Sequence, residues 1–301
     1  MININPKIAV FGSYRPIIQS ILDFDHLSKK KEPSIKYIIS SGKKFEKFFW
    51  GKKEILIEIK QKPETDNNIN AYLDFSSGRR VLTNFQTAKA NFPNLKAANI
   101  FAENVPEIHS LEIIKRKGDI KIIGPASVGL VIPKKIKLGA IGGIYKEQII
   151  NAKLNKPGQT AVITTSGGMV NEIINTLAIK NIPLSFAVSL GGDRFPITSP
   201  KEAFQLAIED KSTRQIVYSG ELGGTDEYEI AEVIKNSRKK VISYIAGSFA
   251  EIFNNPVQFG HAKALAKTVN ESARAKREAL KEAGAISPKT YLDFINNIKK
   301  V

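Results

Sequence analysis

Short apolar runs alternate with longer stretches in which apolar residues recur at helical spacing, and the alternation fills the chain. Lys7 to Gly12 reads as a strand closed by glycine, and Ile17, Ile18, Ile21 and Leu22 put one apolar face on a helix over Pro16 to Leu27. Further strands are predicted at Ile35 to Ile39, Ile55 to Ile59, Ala71 to Phe75, Ala98 to Ala102 and Lys121 to Ile123, with helices between them. Around Ile123-Gly124-Pro125 the texture changes. Leu130 to Tyr145 is rich in Gly, Pro and Lys, the composition of a crossing between domains. Residues 1–123 and 124–301 are therefore expected to form separate domains. The second half repeats the alternation, with strands predicted at Thr160 to Thr164, Leu184 to Ser189, Gln215 to Ser219 and Val241 to Ile245. Helices are predicted at Val170 to Ile179, Pro200 to Glu209, Asp226 to Asn236, His261 to Thr268 and Ser272 to Ala283, the last closed by Gly284 as a C-terminal cap. Strands alternating with helices predict an α/β protein of parallel, doubly wound sheets.

Composition narrows the chemistry. A length of 301 residues suits two domains, and 42% hydrophobic with 25% charged residues is the balance of folded protein. The N-terminus lacks the pattern of a secretory signal, and no apolar run approaches the roughly 20 residues of a membrane helix, so a cytoplasmic location is expected. With no cysteine the chain has no disulfide, thiolate metal site or thiol nucleophile. The net charge of +16 would suit nucleic acid, but the Lys and Arg are dispersed and no stacking platform of aromatics accompanies them. Small anionic ligands suit that charge as well.

In open parallel sheets, chemistry gathers on loops at the carboxyl ends of strands. Four such loops stand out. Thr164 to Met169 (TTSGGM) runs from a strand into a helix, where free amides and the helix dipole favour a phosphate, although a plain N-cap turn explains the same residues. Leu190 to Arg194 (LGGDR) and Gly220 to Thr225 (GELGGT) each carry a glycine pair beside an acidic residue. Phe259 to Ala262 (FGHA) presents His261, one of three histidines, between small neighbours. An accessible imidazole serves as base, ligand or nucleophile toward phosphorus. No second histidine stands at metal-ligand spacing, so no metal site is expected. His26 and His109 read as structural. Glu103 ends a strand of the first half.

Taken together and in order, several phrases resemble the alpha subunit of succinyl-CoA synthetase, and more closely the corresponding region of ATP-citrate lyase. They are GPASVGLVIPKKIKLGAIGG (Gly124 to Gly143), TSGGMVNE (Thr165 to Glu172), LGGDRFP (Leu190 to Pro196), SGELGGTDEYEIAEVI (Ser219 to Ile234), VQFGHA (Val257 to Ala262) and ALKEAGAISP (Ala279 to Pro288). In the first half LDFDH (Leu22 to His26) and FFWGKKEILI (Phe48 to Ile57) are similar to the lyase.

The resemblance implies a Rossmann-like CoA-binding domain followed by a flavodoxin-like parallel-sheet ligase domain. It also implies a phosphohistidine relay, in which an ATP-grasp partner, holding ATP and magnesium, phosphorylates His261. The acid then takes the phosphoryl group to form an acyl phosphate, which the CoA thiol displaces. It assigns Glu221 to the second ring nitrogen of His261 and Glu103 to its vicinity. Ser166, Gly167, Gly168 and Met169 fall to phosphate, and Asn171, Gly192, Gly223 and Gly224 to the acid. CoA is expected on Gly12, Ser13, Tyr14 and Arg15, with Lys52, Lys53, Ser76, Ser77, Phe101 and Ala102. Asn171, where the succinate enzymes carry tyrosine, points to citrate, and so do the LGGDRFP and VQFGHA phrases. The resemblance therefore implies the small subunit of a citryl-CoA synthetase or of a split ATP-citrate lyase. Lys263 departs from the family's glycine and is expected to add bulk and charge beside the histidine. The sequence given stops near where the lyase continues into its cleavage domain, so synthesis of citryl-CoA without its cleavage is expected. A ligase for succinate or another dicarboxylate, and a non-catalytic CoA-binding relative, stay open at this point.

Overall fold

The computed structural model describes residues 5–253, 258, 260–261 and 263–301. The first half builds a sheet from β1 (Ile8–Phe11), β2 (Ile35–Ile39), β3 (Phe45–Trp50), β4 (Lys53–Lys60), β5 (Ala71–Asp74), β6 (Ala97–Ile100) and β7 (Lys121–Ile123). Its helices are α1 (Arg15–Leu27), α2 (Val81–Asn91) and α3 (Glu107–Arg116). The spatial order is β3-β4-β2-β1-β5-β6-β7. The chain winds outward from β1 to one side and then the other, so the sheet reverses direction between β1 and β5. In such sheets ligands bind beyond the strand ends at that reversal.

Why α1 forms is plain in its residues. Pro16 pre-sets the first turn, and Ile17, Ile18, Ile21, Leu22 and Phe24 are buried against the sheet, each contributing roughly 1.5–3 kcal/mol. Its N-terminus begins just beyond β1, where Gly12 adopts a left-handed φ of +77° that lets the chain turn from strand to helix.

The second half builds a sheet in the order β13-β12-β10-β11-β8-β9. Its strands are β8 (Gly129–Ile132), β9 (Ile136–Gly139), β10 (Thr160–Thr164), β11 (Leu184–Ser189), β12 (Gln215–Glu221) and β13 (Lys240–Ala246). Around it lie α4 (Lys146–Asn151), α5 (Gly167–Ile179), α6 (Pro200–Glu209), α7 (Asp226–Lys235), α8 (Ala273–Glu282) and α9 (Tyr291–Asn297). Its reversal falls between β10 and β12.

Three expectations need correction. The sheets are mixed, because β3 runs antiparallel to β4, and β8 runs antiparallel to both β11 and β9. The stretch expected to cross between domains instead forms the β8–β9 hairpin, whose Leu130, Val131, Ile132, Ile136 and Leu138 are buried. Gly and Pro there serve hairpin ends rather than a linker. The helix predicted over His261 to Thr268 is absent among the described residues. Short turns stand there, with Ala264 N–H donating to His261 C=O and Leu265 N–H to Lys263 C=O. Gly284 caps α8 with φ +98° as expected.

The two sheets meet through buried and half-buried polar ties. Lys137 of β9 is fully buried and donates to Ser20 Oγ of α1 at 2.8 Å and to its own strand's Gly139 C=O at 2.7 Å. Glu202 of α6 pairs with Lys117 at 3.0 Å and Lys121 at 2.8 Å. No described helix is long and apolar enough to cross a membrane.

Candidate active site

At the reversal of the second sheet, β12 ends in Glu221 and β10 ends just before Ser166. The imidazole of His261 lies between these strand ends, bordering a cavity of about 500 Å3 that Glu103, Ser166, Gly167, Gly168, Gly192 and Asp193 also line. Both oxygens of the Glu221 carboxylate lie within hydrogen-bond reach of His261 Nδ1, at 2.9 and 2.8 Å. A carboxylate only accepts, so it holds a hydrogen on Nδ1 and leaves Nε2 with its lone pair in the neutral ring. That bond also raises the imidazole pKa above its ordinary value; partial burial opposes the rise, and the charges of Glu221, Glu103 and Asp193 add to it.

The glycines have separate reasons. A β-carbon at Gly192 would sit 2.5 Å from His261 Cδ2 and 2.9 Å from Nε2, so only glycine lets the ring lie against the β11 loop. Gly168 faces open space, with Ser166 Oγ as the nearest atom at 3.9 Å from such a carbon. Ser166 caps α5, its Oγ accepting from Met169 N–H at 3.4 Å. That amide is therefore spent on the cap, and the Met169 side chain packs against the core. Of the expected phosphate cradle, Ser166, Gly167 and Gly168 border the cavity, at the positive end of a 13-residue helix.

Other expected positions lie elsewhere. Gly223 and Gly224 have left-handed φ of +87° and +61° and pack against the following loop: their β-carbons would meet Lys263 C=O at 2.0 Å and Lys263 Cε at 2.6 Å. They make room for chain, and neither borders the histidine cavity. Asn171 borders a different cavity beside α4 and accepts from Gly142 N–H at 2.8 Å. Lys263 turns away from the histidine to pair with Asp226, in a third cavity. Of the VQFGHA phrase, Val257, Phe259 and Ala262 lie outside the described residues.

Sequence reasoning assigned no role to Asp193, although its place beside the Gly191-Gly192 pair was visible. Burial and the nearby charge of Glu103 raise its pKa, and its buried Oδ2 has no hydrogen-bond partner among the described residues. Asn104, which follows Glu103, and Gln258, within the VQFGHA phrase, also border the cavity, although neither was singled out.

Along the first sheet, Gly12, Ser13, Tyr14, Ser76, Ser77, Phe101 and Ala102 all follow the carboxyl ends of β1, β5 and β6. The rings of Tyr14, Phe75 and Phe101 form one cluster, with centroids 5.6 to 6.4 Å apart. Arg15 pairs with Glu46 at 3.1 Å, and Ser13 Oγ donates to the same carboxylate at 3.3 Å. Glu46 went unnoticed in the sequence because it lies on the unpredicted antiparallel β3. Arg79 and Arg80 follow Ser77 on an exposed turn and add positive charge to this edge. Lys52 and Lys53 do not belong here. Lys53 begins β4, and β4 runs parallel to β2, so the β3–β4 turn lies at the opposite edge, against the end of α1. There Gly51 lies so close to His26 that a β-carbon would sit 2.4 Å from its Nε2.

The two edges are continuous. A β-carbon on Gly78 would sit 2.7 Å from Asn104 C=O and 3.0 Å from Glu103 C=O, so the turn after β5 rests on the loop that reaches the histidine cavity.

The two α/β sheets thus share one edge, with the histidine and the start of α5 upon it. The CoA-ligase family model matches residues 163–286. ATP-citrate synthase from Mus musculus is 36% identical across 98% of this chain and 28% of its own length. The ATP-citrate synthase beta chain protein 1 of Oryza sativa subsp. japonica is 35% identical across 97% of this chain and 49% of its own. A solved ATP citrate lyase from Methanothrix soehngenii, in complex with citrate and coenzyme A, superposes with a TM-score of 0.91 at 32% identity, covering 97% of this chain and 48% of that one. The chain belongs to the family of ATP-citrate lyase and the succinyl-CoA synthetase alpha subunit. It spans half or less of the length of these relatives.

Proposed function

We propose that this chain is the CoA-binding, phosphohistidine-carrying part of an ATP-dependent citrate–CoA ligase. The observation that carries the reading is the Glu221–His261 pair facing the start of α5. Glu221 holds Nδ1, so Nε2 is the nitrogen available to phosphorus. The α5 dipole and the amides of Gly167 and Gly168 offset the charge of a phosphoryl group held there. Residues 1–123 act as the CoA domain and residues 124–301 as the phosphohistidine domain.

The aromatic cluster of Tyr14, Phe75 and Phe101 suits a planar base, and Arg15, Arg79 and Arg80 suit phosphates, so the edge fits a CoA. The packing of Gly78 on Glu103 and Asn104 supports a route for a thiol from that edge to the histidine cavity. Citrate as the acid is supported by the relatives' names and by citrate in the similar solved lyase, and no longer by Asn171. An ATP-grasp chain that binds ATP and magnesium is the proposed partner.

The test mixes the chain with such a partner, ATP, citrate and CoA. Acid-labile, base-stable phosphoryl label on His261 and CoA consumption are expected, both lost in His261→Ala. Full activity of His261→Ala, or preference for succinate in a panel of acids, overturns the corresponding part of the reading.

A further inference from the structure

We propose that Lys276 is a positioning residue for this site: its buried ammonium clamps the turn that carries Glu221, fixing that carboxylate against Nδ1 of His261. The proposal rests on the reading of Glu221 and His261 above. Lys276, on α8, is 1% exposed. Its Nζ donates to the backbone carbonyls of Glu221, at 2.9 Å, and Gly223, and ion-pairs with Glu227 Oε2 at 2.7 Å.

Two hydrogen bonds of the ammonium go to carbonyls of one turn, and the third contact, the Glu227 carboxylate, offsets its charge. The third partner is itself anchored, because Tyr218 O–H donates to Glu227 Oε1 at 2.9 Å. Gly220 belongs to the same device, since a β-carbon there would sit 2.4 Å from Glu227 Oε1. From the other side, Gly223 N–H donates to Glu271 C=O at 2.8 Å.

A buried ammonium is costly to desolvate, and a well-packed apolar side chain would hold α8 on β13 and α7 without that cost. What an apolar side chain cannot do is fix the two carbonyls flanking Leu222. Gly223 at φ +87° has no side chain to brace it, so without the clamp the turn keeps only the Leu222 and Gly223 N–H bonds to Ala246 and Glu271, and its carbonyls can shift. Glu221 would then lose its register with the imidazole.

Nitrogen-labelled histidine followed by NMR reads this directly, since the chain has three histidines and His261→Ala assigns the signal. Glu103 and Asp193 also face the ring and are left intact. Glu221→Gln sets the scale for a lost carboxylate. In folded Lys276→Met and Glu227→Gln, the His261 titration midpoint is expected to move at least half of the way to that of Glu221→Gln. Its hydrogen is expected to redistribute from Nδ1 toward Nε2. Folded variants that titrate like the unsubstituted chain overturn the proposal. So does failure of both variants to fold, which makes Lys276 a residue of the fold alone.

Phosphorylation of His261 by phosphoramidate separates this from the functional reading. In that step the donor P–N bond breaks, ammonia leaves, and Nε2 bonds to phosphorus. An unphosphorylatable His261 with normal titration coupling would overturn the function and leave the clamp standing.

Discussion

Gly192 lies against the ring of His261, so closely that a β-carbon there would stand 2.5 Å from Cδ2. The backbone of one loop thus sets the plane of the imidazole, while Glu221 sets its rotation. Gly192→Ala is expected to displace the ring and slow phosphorylation by about 100-fold, the scale of a misplacement near 1 Å. Radiolabel incorporation from phosphoramidate measures it, with circular dichroism confirming the fold.

Because the Glu221 hydrogen bond raises the imidazole pKa, the ring stays doubly protonated to a higher pH than an ordinary histidine, and a doubly protonated ring cannot attack. The acid limb of phosphorylation is therefore expected above the ordinary value of about 6.5. In Glu221→Gln the limb moves down in pH while the plateau rate falls by roughly 100-fold. For stability the sign follows from proton binding. The folded chain holds this proton more tightly, so the contribution is complete below the unfolded pKa and fades as pH rises through the folded one. A pH–rate profile that does not move would contradict this.

Lys137 behaves in the opposite sense. Burial depresses its pKa from about 10.5 to about 7, against the pull of Asp25 and Asp23. Between those values the unfolded chain holds the proton more tightly, so stability rises with pH across that window. The melting temperature is expected to climb between about pH 7 and 9, and to climb less in Lys137→Met. Parallel melting curves for the two proteins would exclude this.

Lys263 pairs with Asp226 outside the histidine cavity. Lys263→Ala is expected to change His261 phosphorylation by less than about threefold, because no contact with the ring is lost. A much larger effect would bring the lysine back into the chemistry.

For CoA the expectation is a contrast between edges. Tyr14→Ala should weaken CoA binding by about tenfold, the value of roughly one aromatic contact. Lys52→Ala and Lys53→Ala should leave it unchanged. Calorimetric titration with CoA distinguishes them, and a loss in the lysine variants would reverse the placement.

How much was legible in the sequence depended on how local its cause was. Strands such as Ile35 to Ile39, Thr160 to Thr164 and Leu184 to Ser189 announce themselves through mostly apolar, β-branched or aromatic residues, which suit a buried central strand. β3 escaped notice because this edge strand breaks its apolar run with two adjacent charges, Phe45-Glu46-Lys47-Phe48, and so shows neither a continuous run nor a clean alternation. The β8–β9 hairpin was read as a linker because its glycines and lysines resemble loop composition. His261, Glu221, Ser166 and Gly192 stood out through their small or acidic neighbours, and the fold brings them together.

The order of elements, the strand-end loops and the unusual histidine were determined by sequence, because hydrophobic period, turn chemistry and glycine are properties of neighbours along the chain. The edge to which each lysine belongs was decided only in three dimensions, since strand direction is set by pairing partners far away in sequence. That is why Lys52 and Lys53 lie at the edge opposite Tyr14; long-range packing likewise turns Lys263 to Asp226 and puts Asn171 on a cavity apart from the histidine. The same distance hid Lys276, which reaches Glu221 across 55 residues; its hydrogen bonds exist only once α8 has packed against β13.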